Sequence, residues 1–469
     1  MDTSAFKAYD IRGTYPQQFN EANIYRIGVG VGQFLKDHPE RPTGGSQDGA
    51  GAHDTILVSR DMRASSPSLS ESLIEGIRTT GMNVIDLGMC DTSFMYFAVN
   101  HLGAAGGVQV TASHNPPQYN GCKISGPLAK PVGGETGLKD IESLAVAASE
   151  RGSSPLVGSL ESLDLWAEYR KHILQFLAPL PRPTKVFIDA SNGMAGKMIP
   201  LIFDGVENLE VIGINYEHTG TFVHDPNPLV AENMIPTQQG VKEHGAALGA
   251  CFDGDADRCM LVDDQGEIIG CDHLTALLCD HFLQQAPGAA VVYDLRSSKV
   301  VEEEITAKGG KPVEGKVGHV NMKKVLRDTE GIFGGELSGH FYFRDNYYAD
   351  SGAIAFCAVL SVLAGTDQSV SELVQPFRKY PQSGEINFKV EDKEGVIAGL
   401  KSRYGSDADV RTLDGVTIDM FSTKGQWFNV RASNTEPLLR FNAEARDAAT
   451  LKSLIDEISP ALGERAEGH

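Results

Sequence analysis

No stretch of this chain reaches the ~18 consecutive apolar residues that a membrane-spanning helix needs, so no such helix is expected. Cys-x-x-Cys pairs are missing as well. The seven cysteines, Cys90, Cys122, Cys251, Cys259, Cys271, Cys279 and Cys357, are scattered and odd in number. That usage reads as reduced thiols in a cytosolic protein. The opening residues, MDTSAFKAYDIRG, hold no apolar core of a signal peptide, and the expected location is cytoplasmic. Basic residues are in deficit: 41 Lys and Arg against 62 Asp and Glu leave a formal net charge of −21. A surface of that sign repels nucleic acid and anionic membranes, so neither is an expected partner. A phosphorylated substrate would need local positive charge to overcome the field. Extended low-complexity segments are also lacking. The one Gly-rich excursion, Arg41 to His53, reads as a flexible surface loop and is assigned no function.

What the chain does hold is an ordinary globular balance, 41% hydrophobic and 22% charged over 469 residues, enough for about three domains. Strand-like and helix-like runs alternate. Thr55–Ser59 and Asn83–Leu87 read as strands, and Ser68–Thr80 reads as a helix with Leu69, Leu73, Ile74 and Ile77 on one face. The cycle returns at Lys185–Asp189 and Glu210–Ile214, and again at Ala289–Asp294 and Val300–Ile305. Such repetition predicts α/β domains with mostly parallel sheets. The last ~90 residues alternate like half-buried strands at Gly384–Val390, Thr417–Phe421 and Trp427–Arg431, with helical patterns at Glu394–Tyr404 and Ala448–Ile458. They predict a smaller α+β domain.

Four polar loops stand out. TASHNPPQYNGCK, Thr111 to Lys123, follows the strand-like Gly106–Thr111. Two prolines stiffen it, and Asn120-Gly121 reads as a turn. Ser113 is expected to be held firmly and exposed, either as a reactive hydroxyl or as part of a turn that bonds its own backbone. CFDGDADRC places Asp253, Asp255 and Asp257 two residues apart after the strand-like Ala246–Ala250. In an extended conformation that period points the carboxylates one way. They call for a cation, unless the loop is a solvated acidic turn. An EF-hand is excluded because Arg258 stands where Gly is needed and Asp264 where Glu is needed. Oxygen ligands favour Mg²⁺, Mn²⁺ or Ca²⁺. GGELSGH offers Glu336, Ser338 and His340 as hydroxyl-binding groups, or a Gly-rich turn with a capping serine. RASNTEP offers the Arg431 fork with Ser433, Asn434 and Thr435 as a phosphate cradle, or a helix N-cap.

Together with YDIRG at Tyr9–Gly13, these loops resemble the α-D-phosphohexomutase family, most closely its phosphomannomutase/phosphoglucomutase members. The resemblance covers nearly the whole chain. It implies four domains around a central active-site cleft: α/β domains at 1–160 with a phosphoserine loop, 161–265 with a metal loop and 266–380 with a sugar-binding loop, then a C-terminal α+β domain at 381–469 with a phosphate loop. It implies that Ser113 carries the transferred phosphoryl group, passing it to a mannose or glucose monophosphate and recovering it from a hexose 1,6-bisphosphate. Mg²⁺ would be held by Asp253, Asp255, Asp257 and the phosphoserine. Lys123 would do acid/base work, Arg12 and His114 would orient reacting groups, Arg258 would sit beside the metal, and His340 would assist proton transfer. Tyr9, His319, Glu336 and Ser338 would contact the sugar. Arg431, Ser433, Asn434 and Thr435 would grip the phosphate that is not reacting.

Arg296 stands where many relatives place Lys and would be a further phosphate or sugar contact. Leu337 fills a position where glucosamine-phosphate relatives carry Gln and mannose/glucose relatives carry Met. Its apolar character favours mannose or glucose, although one such residue discriminates by only ~1–3 kcal/mol. The resemblance also implies glucose 1,6-bisphosphate or mannose 1,6-bisphosphate as activator and a monomer or weak homo-oligomer. The alternatives are a phosphoglucosamine mutase and a non-catalytic sugar-phosphate or cation-binding protein. The latter would not need both Ser113 and the cation loop. A serine hydrolase would need a G-x-S-x-G elbow, which does not surround Ser113.

Overall fold

The computed structural model describes residues 1–39, 52–405, 408–433 and 438–466, so the Gly-rich excursion lies outside the described residues apart from Ala52 and His53. The chain forms two compact units, one of Met1–Ile269 with Ser338–Ser371, the other of Gly270–Leu337 with Glu372–His469.

The first unit begins with β1 Ile11–Thr14, β2 Thr55–Arg60, β3 Asn83–Met89, β4 Gly106–Val110, β5 Tyr119–Ser125 and β6 Leu160–Ser162, in the spatial order β1-β5-β4-β2-β3-β6. The helix Ser66–Thr79 links β2 to β3 and buries Leu69, Leu73, Ile74 and Ile77, the face its spacing predicts. A second sheet follows: β7 Thr184–Asp189, β8 Leu209–Ile214, β9 Leu248–Phe252, β10 Cys259–Val262 and β11 Ile268–Ile269, ordered β11-β10-β9-β7-β8. The chain enters the second unit through β12 Ala290–Asp294, β13 Lys311–Gly315 and β14 Phe333–Gly335. It returns to the first unit with the antiparallel pair β15 Phe341–Phe343 and β16 Ala349–Asp350 and the buried helix Gly352–Ala364.

One arrangement recurs three times. A first strand lies between the second and third and runs parallel to both: β3-β2-β4, β8-β7-β9 and β13-β12-β14. Strands β4, β9 and β12 are buried at every residue, which is why each reads as a near-continuous apolar run. The sheets are mixed, because antiparallel strands join the parallel triplets. β5 returns antiparallel on β4, β10 returns antiparallel on β9, and β1 adds antiparallel to β5. Asn120 and Gly121 are therefore not a turn. They lie within β5, opposite Gly13 and Arg12 of β1. The local turn signal gave way to strand pairing between segments more than a hundred residues apart, which no short window detects.

The chain ends in the second unit with β17 Ile386–Lys389, β18 Asp409–Arg411, β19 Val416–Met420, β20 Gln426–Ala432, β21 Leu438–Ala445 and β22 Glu464–Arg465, ordered β18-β19-β20-β21-β17-β22 and antiparallel throughout. One face of this sheet, with Ile418, Phe428, Val430 and Phe441, packs with Leu400, Leu451, Leu454 and Ile458 of the helices Lys393–Tyr404 and Ala448–Leu462. Alternation puts Arg431, Arg440 and Glu444 on the opposite face. Among the described residues no helix is long and apolar enough to cross a membrane. All seven cysteines are free and buried.

Candidate active site

Three of the four polar loops follow the third strand of a recurring triplet. Ser113 lies just past β4, Asp253 immediately follows β9, and Glu336 immediately follows β14. The C-terminal ends of parallel strands are the usual site of ligand binding in open α/β sheets.

Ser113 is buried, with 1% of its surface exposed, contrary to the expected exposed tip. Its burial follows from the approach of the cation loop. A Cβ on Gly254 would lie 2.3 Å from the Ser113 carbonyl oxygen, so only glycine fits there. Ser113 itself takes a left-handed φ of 50°. Its Oγ donates to Asp253 Oδ2 at 2.9 Å, and His114 Nδ1 lies 3.4 Å from the same Oγ.

One ligand oxygen from each of Asp253, Asp255 and Asp257 falls within 4.8 Å of the others, all three residues being buried. Antiparallel pairing of β5 on β4 delivers Lys123 to them, where Nζ donates to Asp255 Oδ2 at 2.6 Å and to Asp257 Oδ2 at 2.5 Å. Burial works against the Lys123 charge, but Asp255 and Asp257 override it and hold its pKa up. Burial likewise opposes ionisation of Asp255, and Lys123 reverses this and holds Asp255 well below the usual carboxylate range. Asp253 goes the other way: burial and the neighbouring Asp257 and Asp255 raise it well above that range. Arg258 Nε stands 3.7 Å from Asp253 Oδ2. Two cationic side chains thus face three buried carboxylates. Asp255 Oδ1 and Asp257 Oδ1 are shielded from solvent and make no hydrogen bond among the described residues. This all-oxygen, charge-deficient cluster fits a divalent cation.

The remaining expected residues of the first unit gather nearby. Arg12, on β1, donates to Asn115 Oδ1 and to Asp10 Oδ2, and its buried Nε makes no hydrogen bond among the described residues. His114 is held neutral by burial and by the charges of Arg258, Arg12 and Lys123. Arg258 Nε donates to His340 Nε2 at 3.1 Å, and His340 Nδ1 lies 2.7 Å from Asp350 Oδ2. Tyr9 is half-buried ahead of β1. Ser338 Oγ is screened from solvent and makes no hydrogen bond among the described residues.

In the second unit, Glu336 is buried and accepts from Gly318 N–H at 2.9 Å, which ties it to the start of the helix His319–Asp328 and so to His319. Leu337 N–H donates to Asp294 Oδ2 at 3.3 Å. Arg296 is held by its own Asp294 and reaches Glu385 at 3.3 Å. Arg431 and Arg440 reach the same Glu385 at 2.7 and 3.0 Å. Arg431 Nε and Ser433 Oγ are buried without hydrogen bonds among the described residues. Asn434 and Thr435 lie outside the described residues.

Family models match four successive segments: phosphoglucomutase/phosphomannomutase alpha/beta/alpha domain I at residues 3–151, domain II at 167–266, domain III at 271–380 and the C-terminal domain at 385–461. The chain belongs to the phosphoglucomutase/phosphomannomutase family. A protein of Xanthomonas campestris described as phosphohexose mutases is 39% identical over 468 residues, spanning 98% of this chain and all of that one. A phosphomannomutase of Vibrio cholerae is 37% identical over 98% of each chain. The crystal structure of a phosphoglucomutase/phosphomannomutase family protein from Burkholderia thailandensis superposes with a TM-score of 0.86 at 30% identity, covering 98% of this chain and 96% of that one.

Several residues that bond to the expected ones escaped the sequence reading: Asp61 and Arg63 behind the Ser113 loop, Thr92, whose Oγ1 donates to Asp255 Oδ2, Asp350 beside His340, and, in the second unit, Glu385 and Arg440. A signal for two of them was present. Asp61-Met-Arg63 after β2 and Asp294-Leu-Arg296 after β12 are the same Asp-x-Arg turn. In each, the Asp accepts from the backbone N–H two residues on, at 3.0 and 2.9 Å, and from the Arg Nε. Asp189 repeats the turn after β7 with Ser191 in place of Arg.

Proposed function

We propose that this chain is a phosphohexomutase, an isomerase interconverting hexose 1-phosphate and hexose 6-phosphate, with mannose and glucose as its sugars. The observation that carries the reading is Ser113 Oγ hydrogen-bonded to one of three converging buried carboxylates. A serine so placed is suited to carry a phosphoryl group beside a divalent cation. Phosphoserine 113 gives its phosphoryl group to the open hydroxyl of a hexose monophosphate. The resulting 1,6-bisphosphate turns over and returns its other phosphoryl group to Ser113. Positioning supplies much of the acceleration in such transfers.

The four proposed domains divide the work: 1–160 carries the phosphoserine, 161–265 the cation ligands, 266–380 the sugar contacts Glu336, Ser338 and His319, and 381–469 the phosphate contacts Arg431 and Ser433. Asp253, Asp255 and Asp257, with a phosphoserine oxygen, would hold Mg²⁺, which would spread the charge of the transferring group. Lys123 and His340 are the proposed proton carriers, and Arg12 and His114 orient the reacting oxygens. Glucose 1,6-bisphosphate primes an enzyme that has lost its phosphate. The apolar Leu337 supports mannose and glucose over glucosamine, and the cytoplasm is the proposed location.

A ³¹P NMR time course with Mg²⁺, a trace of glucose 1,6-bisphosphate and either mannose, glucose or glucosamine 1-phosphate tests this reading. Conversion of the first two to 6-phosphates with little of the third supports it. Preference for glucosamine phosphate overturns the specificity alone. No conversion in any tube overturns the activity.

A further inference from the structure

We propose that Arg63 is the positioning residue that fixes Ser113 for phosphoryl transfer, acting with Asp61 and Thr111 as a clamp on both sides of the serine. The inference rests on the phosphoserine reading above and extends it to buried residues behind the serine.

Arg63 is 1% exposed and Asp61 is fully buried. A guanidinium has five N–H groups, and all five are used here. Nε donates to Asp61 Oδ2 at 3.0 Å. Nη1 donates to the carbonyls of Pro116 at 2.8 Å and Tyr119 at 3.2 Å. Nη2 donates to the carbonyls of Ser113 at 2.8 Å and Asn115 at 2.7 Å. The ring of Phe222 covers the guanidinium carbon at 5.2 Å from its centroid.

The loop's own sequence explains why it needs this. Pro116 and Pro117 have no N–H to offer; the Pro116 carbonyl accepts from Tyr119 N–H at 3.1 Å, and Arg63 adds a donor to it and also reaches the Ser113, Asn115 and Tyr119 carbonyls. Unsatisfied buried carbonyls are costly. Burying a lone charge is costlier still unless it is paired, and Asp61 supplies the partner.

The N–H side of Ser113 is held by the same pair. Ser113 N–H donates to Thr111 Oγ1 at 2.9 Å, and Thr111 Oγ1 donates to Asp61 Oδ2 at 2.7 Å. The serine's amide and carbonyl therefore both trace back to Asp61 and Arg63, while its φ of 50° is one that non-glycine residues seldom adopt. Strain of this kind persists only where surrounding contacts over-determine it. A clamp that fixes the backbone on both sides of Cα fixes the direction of Oγ, on which in-line transfer depends.

The test is the fate of the phosphoryl group on Ser113, which goes either to the sugar or to water. The ratio of these rates is internal to each molecule and does not change if part of the sample is unfolded. Arg63→Lys keeps the charge but has three donors in place of five. The expected result is a KM for glucose 1-phosphate within about threefold of wild type, with the transfer-to-hydrolysis ratio down at least about tenfold. An unchanged ratio in Arg63→Lys overturns the proposal. Should that variant fail to fold, Thr111→Val, which cuts the amide side of the clamp, decides it: a lowered ratio supports the clamp and an unchanged one overturns it. Wild-type enzyme that takes up no phosphate on Ser113 from glucose 1,6-bisphosphate refutes the phosphoserine reading itself, a separate result.

Discussion

Arg431 and Arg440 stand directly opposite one another on the paired antiparallel strands β20 and β21, and a single carboxylate, Glu385, bridges them. Like charges facing across a ladder repel. Here Arg296 adds a third guanidinium to the same carboxylate. Burial opposes ionisation of Glu385, yet Arg431, Arg296 and Arg440 hold its pKa below the usual carboxylate range. One negative charge thus moderates a cationic cluster that works against a chain carrying −21 overall.

That arrangement predicts the behaviour of Glu385→Gln. Without the carboxylate the cluster should bind a phosphate dianion more tightly, lowering KM for hexose 1-phosphate about three- to tenfold. Under the proposed mechanism the bisphosphate is let go to turn over, so kcat should fall as well. Steady-state kinetics and the dissociation rate of glucose 1,6-bisphosphate measure both. An unchanged KM would mean that Glu385 does not modulate substrate phosphate.

Ser113→Ala removes the acceptor oxygen and leaves the cluster in the second unit untouched. Turnover should drop by on the order of a thousandfold or more, while calorimetry still detects binding of the sugar phosphate. Near-normal turnover would rule out a phosphoserine.

The polar loops were legible because each is a contiguous run: the spacing from Asp253 to Asp257 suggests converging carboxylates, and one oxygen of each does fall within 4.8 Å of the others. The three α/β cycles were legible from period and composition. What stayed hidden was assembled by distance. Lys123 reaches Asp255 and Asp257 only because β5 turns back on β4, and the turn-like Asn120-Gly121 argued against that strand. Arg63 was an unremarked arginine until four carbonyls of the Ser113 loop closed around it. Ser113 was expected at an exposed tip because a sequence shows stiffness and polarity, not what packs over them. Gly254 is the residue that lets the second loop do so.

Removal of divalent cations should abolish turnover, and Mg²⁺ should restore it. A cation that binds only the folded cluster also stabilises it, by about 2.7 kcal/mol at a hundredfold excess over its dissociation constant. Thermal unfolding should therefore shift upward with Mg²⁺ in the wild type and much less in Asp257→Asn. Full activity in excess chelator, or an equal shift in the variant, would remove the cation from this site.

Glu444 provides a pH dependence in the second unit that is separate from the chemistry. Burial pushes its pKa from 4.5 to about 7. Its Oε1 accepts from Lys299 N–H at 2.9 Å and from Trp427 Nε1 at 3.0 Å. Between those two pKa values the folded state keeps a proton that the unfolded chain has lost. Stability is therefore complete below the unfolded pKa, declines as pH rises through the folded one, and is level above it. The loss is roughly 3 kcal/mol at most. Glu444→Gln mimics the protonated form and keeps an oxygen for Lys299 and Trp427. Its unfolding midpoint should match the wild type near the lower pKa and exceed it at pH well above the upper one, where only the wild type buries a charge. A gap between the two proteins that stays constant across that range would show that Glu444 does not titrate in the folded state.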